Sequence, residues 1–413
     1  MNHKNRFAAT LAAVCAVGLS MAGGSRFAVG GLNFEATTDS TAQLVLGDSF
    51  YRDTVVVPAS VTAPGSTQPL AVTAIGRCGF NGCHALRAVQ LPATISEIGD
   101  FAFNACDSLK AISLPDGVTR VGEHAFSGCA QLKSIVIPDA VQSVGDYAFH
   151  GCTQLATVSF GKGVTSIGYR ALQRCTQLRT INVADGNATY SVSGGYLLTD
   201  GGRTLVTAAR KRSDYRTPTL PTQVTAIADY AFAGCDNLIS IELPAALTTV
   251  GKHAFQGCTR LSEISLPEAT FDVGANAFAD CSVLNSVHCR ASVPMALSSY
   301  YDPFTLIGRQ ALMTLYVPAG TAEAYRAASV WSGFGIIVEE ESGVEPTAVH
   351  AAVAVSVDGR TITVTGAPDG SRITVWNISG AVVASGTSTQ VTVPAAGAYV
   401  VMAGSKAVKV MVR

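Results

Sequence analysis

The chain has 413 residues, 14% of them charged and 48% hydrophobic, and a disordered chain needs the reverse balance. Its 28 basic and 29 acidic residues leave a net charge of −1, without the basic excess that marks a nucleic-acid binder. After the N-terminus no apolar run approaches the roughly 20 residues of a membrane helix, and at about 150 residues per domain the length predicts two to three domains.

Residues 1–24 read as a secretory signal peptide. Lys4 and Arg6 supply the basic start, Phe7 to Met21 the apolar stretch, and Ser20-Met21-Ala22 the small residues before a cleavage point. A short membrane anchor is an alternative, and Cys15 raises a lipoprotein, although Val14 stands where such a site normally has Gly or Ala. Residues 25–71 are expected to form an N-terminal cap of short strands, with Val55-Val56-Val57-Pro58 as a degenerate strand of the stack that follows.

Eleven cysteines suggest a disulfide framework until their positions are read. Cys83, Cys106, Cys129, Cys152 and Cys175 are followed by Cys235, Cys258 and Cys281, and every interval is 23 residues except the 60 between Cys175 and Cys235. A fixed period of roughly 20–50 residues signals stacked supersecondary units. The unit reads Leu109-x-x-Ile112-x-Leu114-Pro115-x-x-Val118-x-x-Val121-Gly122-x-x-Ala125-Phe126-x-x-Cys129, and it recurs from Leu132 to Cys152 and from Leu238 to Cys258. Alternation in its first part predicts a short strand with one face inward. Pro ends that strand because it cannot donate to the ladder. Val118 and Val121 turn the chain back to the core, Gly122 suits a turn of unusual backbone conformation, and Ala125-Phe126 puts a small and a large residue inside. One unit cannot bury such a face alone, so neighbours must stack, with strands about 4.8 Å apart in a parallel sheet.

This pattern resembles the BspA-like leucine-rich repeat family, the 23-residue class found on bacterial surfaces, over residues 72–290. The resemblance implies a leucine-rich repeat solenoid, a parallel β stack of short strands and helical turns, in a surface or secreted binding protein or adhesin. The ladder cysteines have two readings. Adjacent coils bring equivalent positions within bridging range, but pairing would break the translation that makes the coils alike, and Cys also serves as a small buried hydrophobe. Free buried thiols are therefore expected. Cys289 falls in the core column of Leu114 and Leu243, while Cys78 shares a variable column with Phe101, His124, Tyr147 and His253.

The long interval predicts an island at about 184–219, with a β-hairpin from Tyr196 to Val206 around Asp200-Gly201. Arg203, Arg210, Lys211, Arg212 and Arg216 make it the one basic patch evident along the chain, either a solvated loop or a site for an acidic partner. Residues 291–338 are expected to close the stack. Leu315 to Tyr325 resembles the family's closing strand and helix, with Trp331 and Phe334 covering the last apolar layer. Residues 339–347 read as a polar linker, and 348–413 as a small all-β sandwich with turns at Asp358-Gly359, Asp369-Gly370 and Ser379-Gly380. This tail resembles the sorting domain of type IX secretion cargo in three blocks. Trp376, Asn377 and Gly380 belong to the first, with Trp376 where Tyr or Phe is usual, Gly397 and Tyr399 to the second, and Lys409 and Arg413 to the last. A plain sandwich of another role is the alternative.

Catalytic constellations are not evident. Gly47-Asp48-Ser49 echoes a hydrolase block but reads better as a turn, and the chain has no His-x-x-x-His, Cys-x-x-Cys or phosphate loop. No enzyme activity, metal or cofactor is expected. Outward strand positions read Gln90, Ser113, Val136, Ser159, Asn182, Glu242, Ser265 and His288, beside a column of Ala88, Ala111, Ser134, Thr157, Thr180, Ser240, Glu263 and Ser286. Such a face suits an extracellular protein or glycan broadly, although it lacks the aromatic and Arg anchors that dominate binding energy. It equally suits a solvated sheet in a structural surface component. The expected partners are that ligand and the type IX secretion machinery, with no nucleic acid, no membrane span in the mature chain, and a monomeric state.

Overall fold

The structure is a computed structural model that describes residues 24–47, 50–210, 216–297, 302–304, 310–340, 354–365, 373–377, 381–403 and 406–412. The signal segment up to residue 23, linker residues 341–347, Lys211, Arg212, Gly380 and Arg413 lie outside them, as do Asp48 and Ser49. The chain divides into two compact units. The first is Met1–Tyr215 with Gln223–Asn237 and Ala254–Gln256, and the second is Arg216–Thr222 with Leu238–His253 and Gly257–Arg413. Both contain coils of a parallel β-solenoid.

The first unit opens with an antiparallel meander of Arg26–Val29, Leu32–Ala36 and Thr41–Val45. Its last strand pairs in parallel with Pro69–Ile75. That strand starts a run of two-residue parallel strands, Glu97–Ile98, Arg120–Val121, Ser143–Val144 and Ser166–Ile167. Each coil thus has a second strand at the point where the sequence suggested only a return toward the core. The first strands of the coils form two further parallel sheets: Asp53–Val56, Leu86–Gln90 and Ala111–Ile112, and Ser134–Ile137, Thr157–Phe160 and Thr180–Val183. The degenerate strand before Pro58 is therefore part of the stack. Elsewhere the coils run in hydrogen-bonded turns; an α-helix occurs at Ala322–Ala327.

The repeat columns pack as their residue types dictate. Leu109, Val118, Val121, Ala125, Phe126 and Cys129 are fully buried. Phe80, Phe103, Phe126 and Phe149 stack face to face with ring centres 5.0, 5.1 and 5.5 Å apart, a spacing at which aromatic pairs attract. The glycine column has a different cause from the one expected. Gly122 and Gly145 do not have positive φ. Instead, a Cβ on Gly122 would lie 2.5 Å from Asp100 N, and one on Gly145 2.5 Å from Glu123 N. Coil-to-coil approach, and not a turn conformation, excludes a side chain there. The left-handed conformation falls two residues later, on Phe101 (φ 56°), His124 (51°) and Tyr147 (54°). Those rings stack on one another at 4.8 and 4.7 Å.

The ladder cysteines are free thiols. Cys106, Cys129, Cys152 and Cys175 each point Sγ at a main-chain carbonyl, of Phe80, Phe103, Phe126 and Phe149 respectively, at 3.1 Å. A thiol is thus both small enough for the core and able to donate to a buried acceptor. Burial pushes the Cys83 thiol up to about 11 and Cys175 up to about 12, so neither forms the reactive thiolate near neutrality.

The island hairpin forms between Tyr196–Thr199 and Thr204–Ala208, with Ser191–Ser193 added on one side. The loop Asp200–Gly202 has φ of 60°, 66° and 87°, which favours glycine at its last two positions. Thr204–Ala208 pairs in parallel with Ala226–Ile227, so the island is hydrogen-bonded into the sheet of the coils.

In the second unit Glu263–Leu266, Ser286–Cys289, Thr314–Pro318 and Ile336–Glu340 form a four-stranded parallel sheet, so Glu339 and Glu340, read from sequence as the start of the linker, are instead strand residues paired with Val317 and Pro318. The helix Ala322–Ala327 follows the third of these strands. Fully buried Tyr325 donates its hydroxyl to Ala291 O at 2.7 Å, and Trp331 Nε1 donates to Met295 O at 2.9 Å. Large rings close the core here because each has a carbonyl for its polar tip. Cys289 is buried in register with Leu266. The tail makes two antiparallel sheets, one of Ala354–Asp358, Thr361–Thr365 and Gln390–Thr392. The other consists of Val382–Gly386, Ile373–Asn377, Gly397–Ala403 and Lys406–Val412. They share a core of Ile362, Val364, Ile373, Val375, Tyr399 and Val401.

Candidate binding surface

Parallel pairing at a 23-residue offset stacks equivalent side chains in rows. In the first unit Val136, Ser159 and Asn182 are in register, as are Ser134, Thr157 and Thr180. Gln90, Ser113 and Val136 are exposed, Val136 at 65%. Asn182 Nδ2 donates to Ser159 Oγ at 3.0 Å. From Ala88 to Asn182 the two outward columns contain no charge.

The second unit's face is different. Ser265, His288 and Tyr316 are in register. His288 lies between two carboxylates, Nδ1 at 2.8 Å from Glu340 Oε1 and Nε2 at 3.4 Å from Glu263 Oε1. Its ring stacks on Tyr316 with centres 4.3 Å apart. Burial, then Glu340 and Glu263, push the Tyr316 phenol up to about 12, so it remains a neutral donor. Glu242 is exposed and accepts from Thr219 Oγ1 at 2.9 Å.

The island is less basic at its surface than its sequence suggests. Arg203 and Arg216 are exposed. Arg210 is not a surface cation: it is 2% exposed, with Nε donating to Ala233 O at 2.6 Å and Nη1 to Leu172 O at 2.7 Å. Its position, 23 residues before Ala233, puts it in the inward column of Asn81, Asn104, Ser127 and His150. Main-chain carbonyls there solvate the guanidinium.

A family model described as the BspA type leucine-rich repeat region matches in six copies, over residues 73–192 and 209–302. The chain belongs to the BspA-type leucine-rich repeat family. No curated protein matches it. Among solved structures, a leucine-rich repeat protein from Bacteroides ovatus is 26% identical with a TM-score of 0.51, over 76% of this chain and 84% of that one. The pneumococcal vaccine antigen PcpA shares the fold at 16% identity and a TM-score of 0.52, over 77% and 99%. A leucine-rich cell surface protein from Faecalibacterium prausnitzii is 22% identical with a TM-score of 0.46, over 78% and 95%. Among the described residues, no helix is long and apolar enough to cross a membrane.

Within this BspA-type chain Asn377, Tyr399 and Trp376 of the proposed sorting blocks each make local structural contacts. Asn377 closes a turn, its Oδ1 accepting from Ala381 N at 3.0 Å. Gly397 has φ of 152°. Tyr399 is buried and donates to Ala395 O at 2.7 Å. Trp376 and Val400, on the other face of their strands from Val375 and Val401, pack with Tyr316, Ile336 and Val338. Lys409 lies in the last strand.

The repeat also holds a cationic column that a reading along the chain misses. Four residues after the first five ladder cysteines stand Arg87, Lys110, Lys133, Ala156 and Arg179, and all four cations are exposed, whereas Ile239, Ser262 and Asn285 follow the last three. Charges 23 residues apart do not look like a patch in one dimension. Reading every column of the repeat, and not only the strand columns, would have found them.

Proposed function

We propose that the protein is a secreted, cell-surface BspA-type binding protein that adheres to an extracellular protein or glycan through the outward strand face of its coils. The observation that carries this reading is the in-register, uncharged row of Val136, Ser159 and Asn182 on three hydrogen-bonded parallel strands. Repeat proteins bind through extended surfaces of this kind. The N-terminal basic and apolar segment supports export, and the likeness of the tail to type IX cargo supports a second step across the outer membrane.

The test is an array of extracellular proteins and glycans probed with the purified chain. Binding lost on Val136→Glu or Ser113→Glu, with folding intact, supports the reading. A chain that binds nothing on the array favours a structural surface component. Surface proteolysis of cells carrying the chain without residues 347–413 tests the address: the truncated protein is expected to stay in the periplasm, and its arrival at the surface would remove the sorting role.

A further inference from the structure

We infer that the first unit binds an extended acidic polysaccharide, laid along the stack of coils over Arg87, Lys110, Lys133 and Arg179. The inference deepens the surface-binding reading and rests on it, because it names a ligand class for the margin of the strand face.

The main chain fixes the alignment. Lys110 N donates to Arg87 O, Lys133 N to Lys110 O, Ala156 N to Lys133 O and Arg179 N to Ala156 O, at 3.3, 3.3, 2.8 and 2.9 Å. This unbroken ladder puts one position of the column on each coil, at steps of about 4.8 Å. The cations therefore form a line perpendicular to the strands, and a linear polymer with regularly spaced anions follows such a line.

The charges are available. Among the described residues neither Lys110 nor Lys133 has an ion-pair partner. Arg179 makes one contact, a 3.5 Å hydrogen bond from Nη2 to Gln177 Oε1. Arg87 faces Asp53 at 3.7 Å with both side chains about 70% exposed, a pair weak enough for a polyanion to replace. A shallow, open depression lies over the first two cations of the column, lined by Arg87, Lys110, Ser108, Gln131 and Asp107. Asp107 is the opposing charge in it, held by His84 Nδ1 at 2.9 Å. In the next three coils Ala130, Thr153 and Thr176 replace that carboxylate.

The groups between the cations select the polymer. Gln131, Gln154 and Gln177 recur two residues after their cysteines, beside the cationic column, and amides both donate to and accept from sugar hydroxyls. The column and its glutamine neighbour contain no aromatic ring, the platform on which proteins stack the bases of single-stranded nucleic acid. A glycan with carboxylate or sulfate groups fits both features.

The test measures binding of the purified chain, in about 0.15 M salt, to four probes: heparan sulfate, polygalacturonate, neutral dextran and single-stranded DNA. Binding to either acidic glycan, with dextran inert and DNA weaker, is expected, and the tighter of the two names the anionic group. Reversing Lys110, Lys133 and Arg179 to Glu should weaken it by roughly tenfold or more, about 1.4 kcal/mol or more. Reversing Lys162, Arg326 and Arg360 changes the net charge equally and should leave it within about twofold. Circular dichroism checks that both variants fold, and Lys133→Gln with Lys110→Gln provides a milder pair. Equal losses in the two triple variants would overturn the site, and DNA binding as tight as the glycans would overturn the ligand class. No acidic-glycan binding in a chain that still binds another array component would overturn this inference alone, whereas no binding to anything would remove the surface-binding reading as well.

Discussion

In the first unit the outward strand row runs Val136, Ser159 and Asn182, without charge, and the cations stand to one side in their own column. In the second unit the equivalent row runs Ser265, His288 and Tyr316, with His288 held between Glu263 and Glu340. Inside, the two units use the same residues: Ala125-Phe126 and Cys129 are matched by Ala277-Phe278 and Cys281, all buried. The inner columns are set by the need to fill one coil against the next at a fixed spacing, and every coil meets that need alike. The first unit's outer columns are free of it, and that is where a repeat protein can acquire a ligand without altering its scaffold. In the second unit Tyr316 is instead buried, packed with Trp376 and Val400 of the tail.

The largest effects should fall on the shared interior. Phe126→Ala in the first unit and Phe278→Ala in the second should each cost about 3–5 kcal/mol in denaturant titration, through lost transfer energy and the cavity left behind. A cost in one unit several-fold below the other would break the claim of a common core. Overpacking comes next. Ala148→Leu, at a fully buried position, should cost about 1–3 kcal/mol. Ser113→Leu, on the exposed face, should cost under about 0.5 kcal/mol. Equal losses would mean that inside and outside have been exchanged.

Those columns were legible because burial leaves a period in the sequence. The cysteines set it, and the Leu, Ile, Val, Ala and Phe positions follow at the same spacing. What was not legible depended on neighbours 23 residues away. Gly122 was correctly singled out for the wrong reason, since the backbone that excludes its side chain belongs to Gly99 and Asp100 of the preceding coil. Arg210 looked like one of several loop cations, but its register with Ala233 turns it inward. The cations of the Arg87 column are invisible as a patch until the coils are stacked. The Cys Sγ contacts, each to a residue 26 positions earlier, could not be inferred from composition, although the free-thiol state could.

The ladder gives an effect of intermediate size. Cys129→Ser keeps a donor for Phe103 O, whereas Cys129→Ala removes it. Phe103 O keeps its bond from Cys106 N at 3.2 Å, so only one weak thiol donor is lost and the two substitutions should differ by under about 1 kcal/mol. Thiol-reagent titration should find the nine free cysteines among the described residues unreactive until the chain is denatured. Rapid labelling of the folded protein would contradict their burial.

Acidification sharpens the contrast between the units. Burial, then the charge of Arg174, pushes the His150 imidazole down to about 4, from an ordinary value of 6.5. Between those values the unfolded chain takes up a proton that the folded one refuses, so stability contributed by His150 is complete above about pH 6.5 and is lost as the pH falls toward 4. His150→Gln should remove that part of the decline, because Gln173 already occupies the same column one coil later. The second unit has Ala279 at this position and lacks the contribution. Thermal melts of both forms from pH 7 to 4 check the sign; an unchanged slope in the variant would rule out His150 as its source.

The smallest expected effects lie on the strand face of the first unit. Asn182 is exposed, and its side chain makes a 3.0 Å hydrogen bond to Ser159 Oγ. Water can replace that bond on either side, so Asn182→Ala should change stability by less than about 0.5 kcal/mol. His288→Ala in the second unit removes two carboxylate contacts and the stack on Tyr316, and should cost more, up to about 1 kcal/mol for partly exposed pairs. If Asn182→Ala proves as costly as His288→Ala, the first face is a structural element and its neutrality serves folding. If the loss is as small as expected, Val136, Ser159 and Asn182 can be changed without disturbing the scaffold. A fall in ligand binding in such variants would then report a lost contact and not a loosened coil.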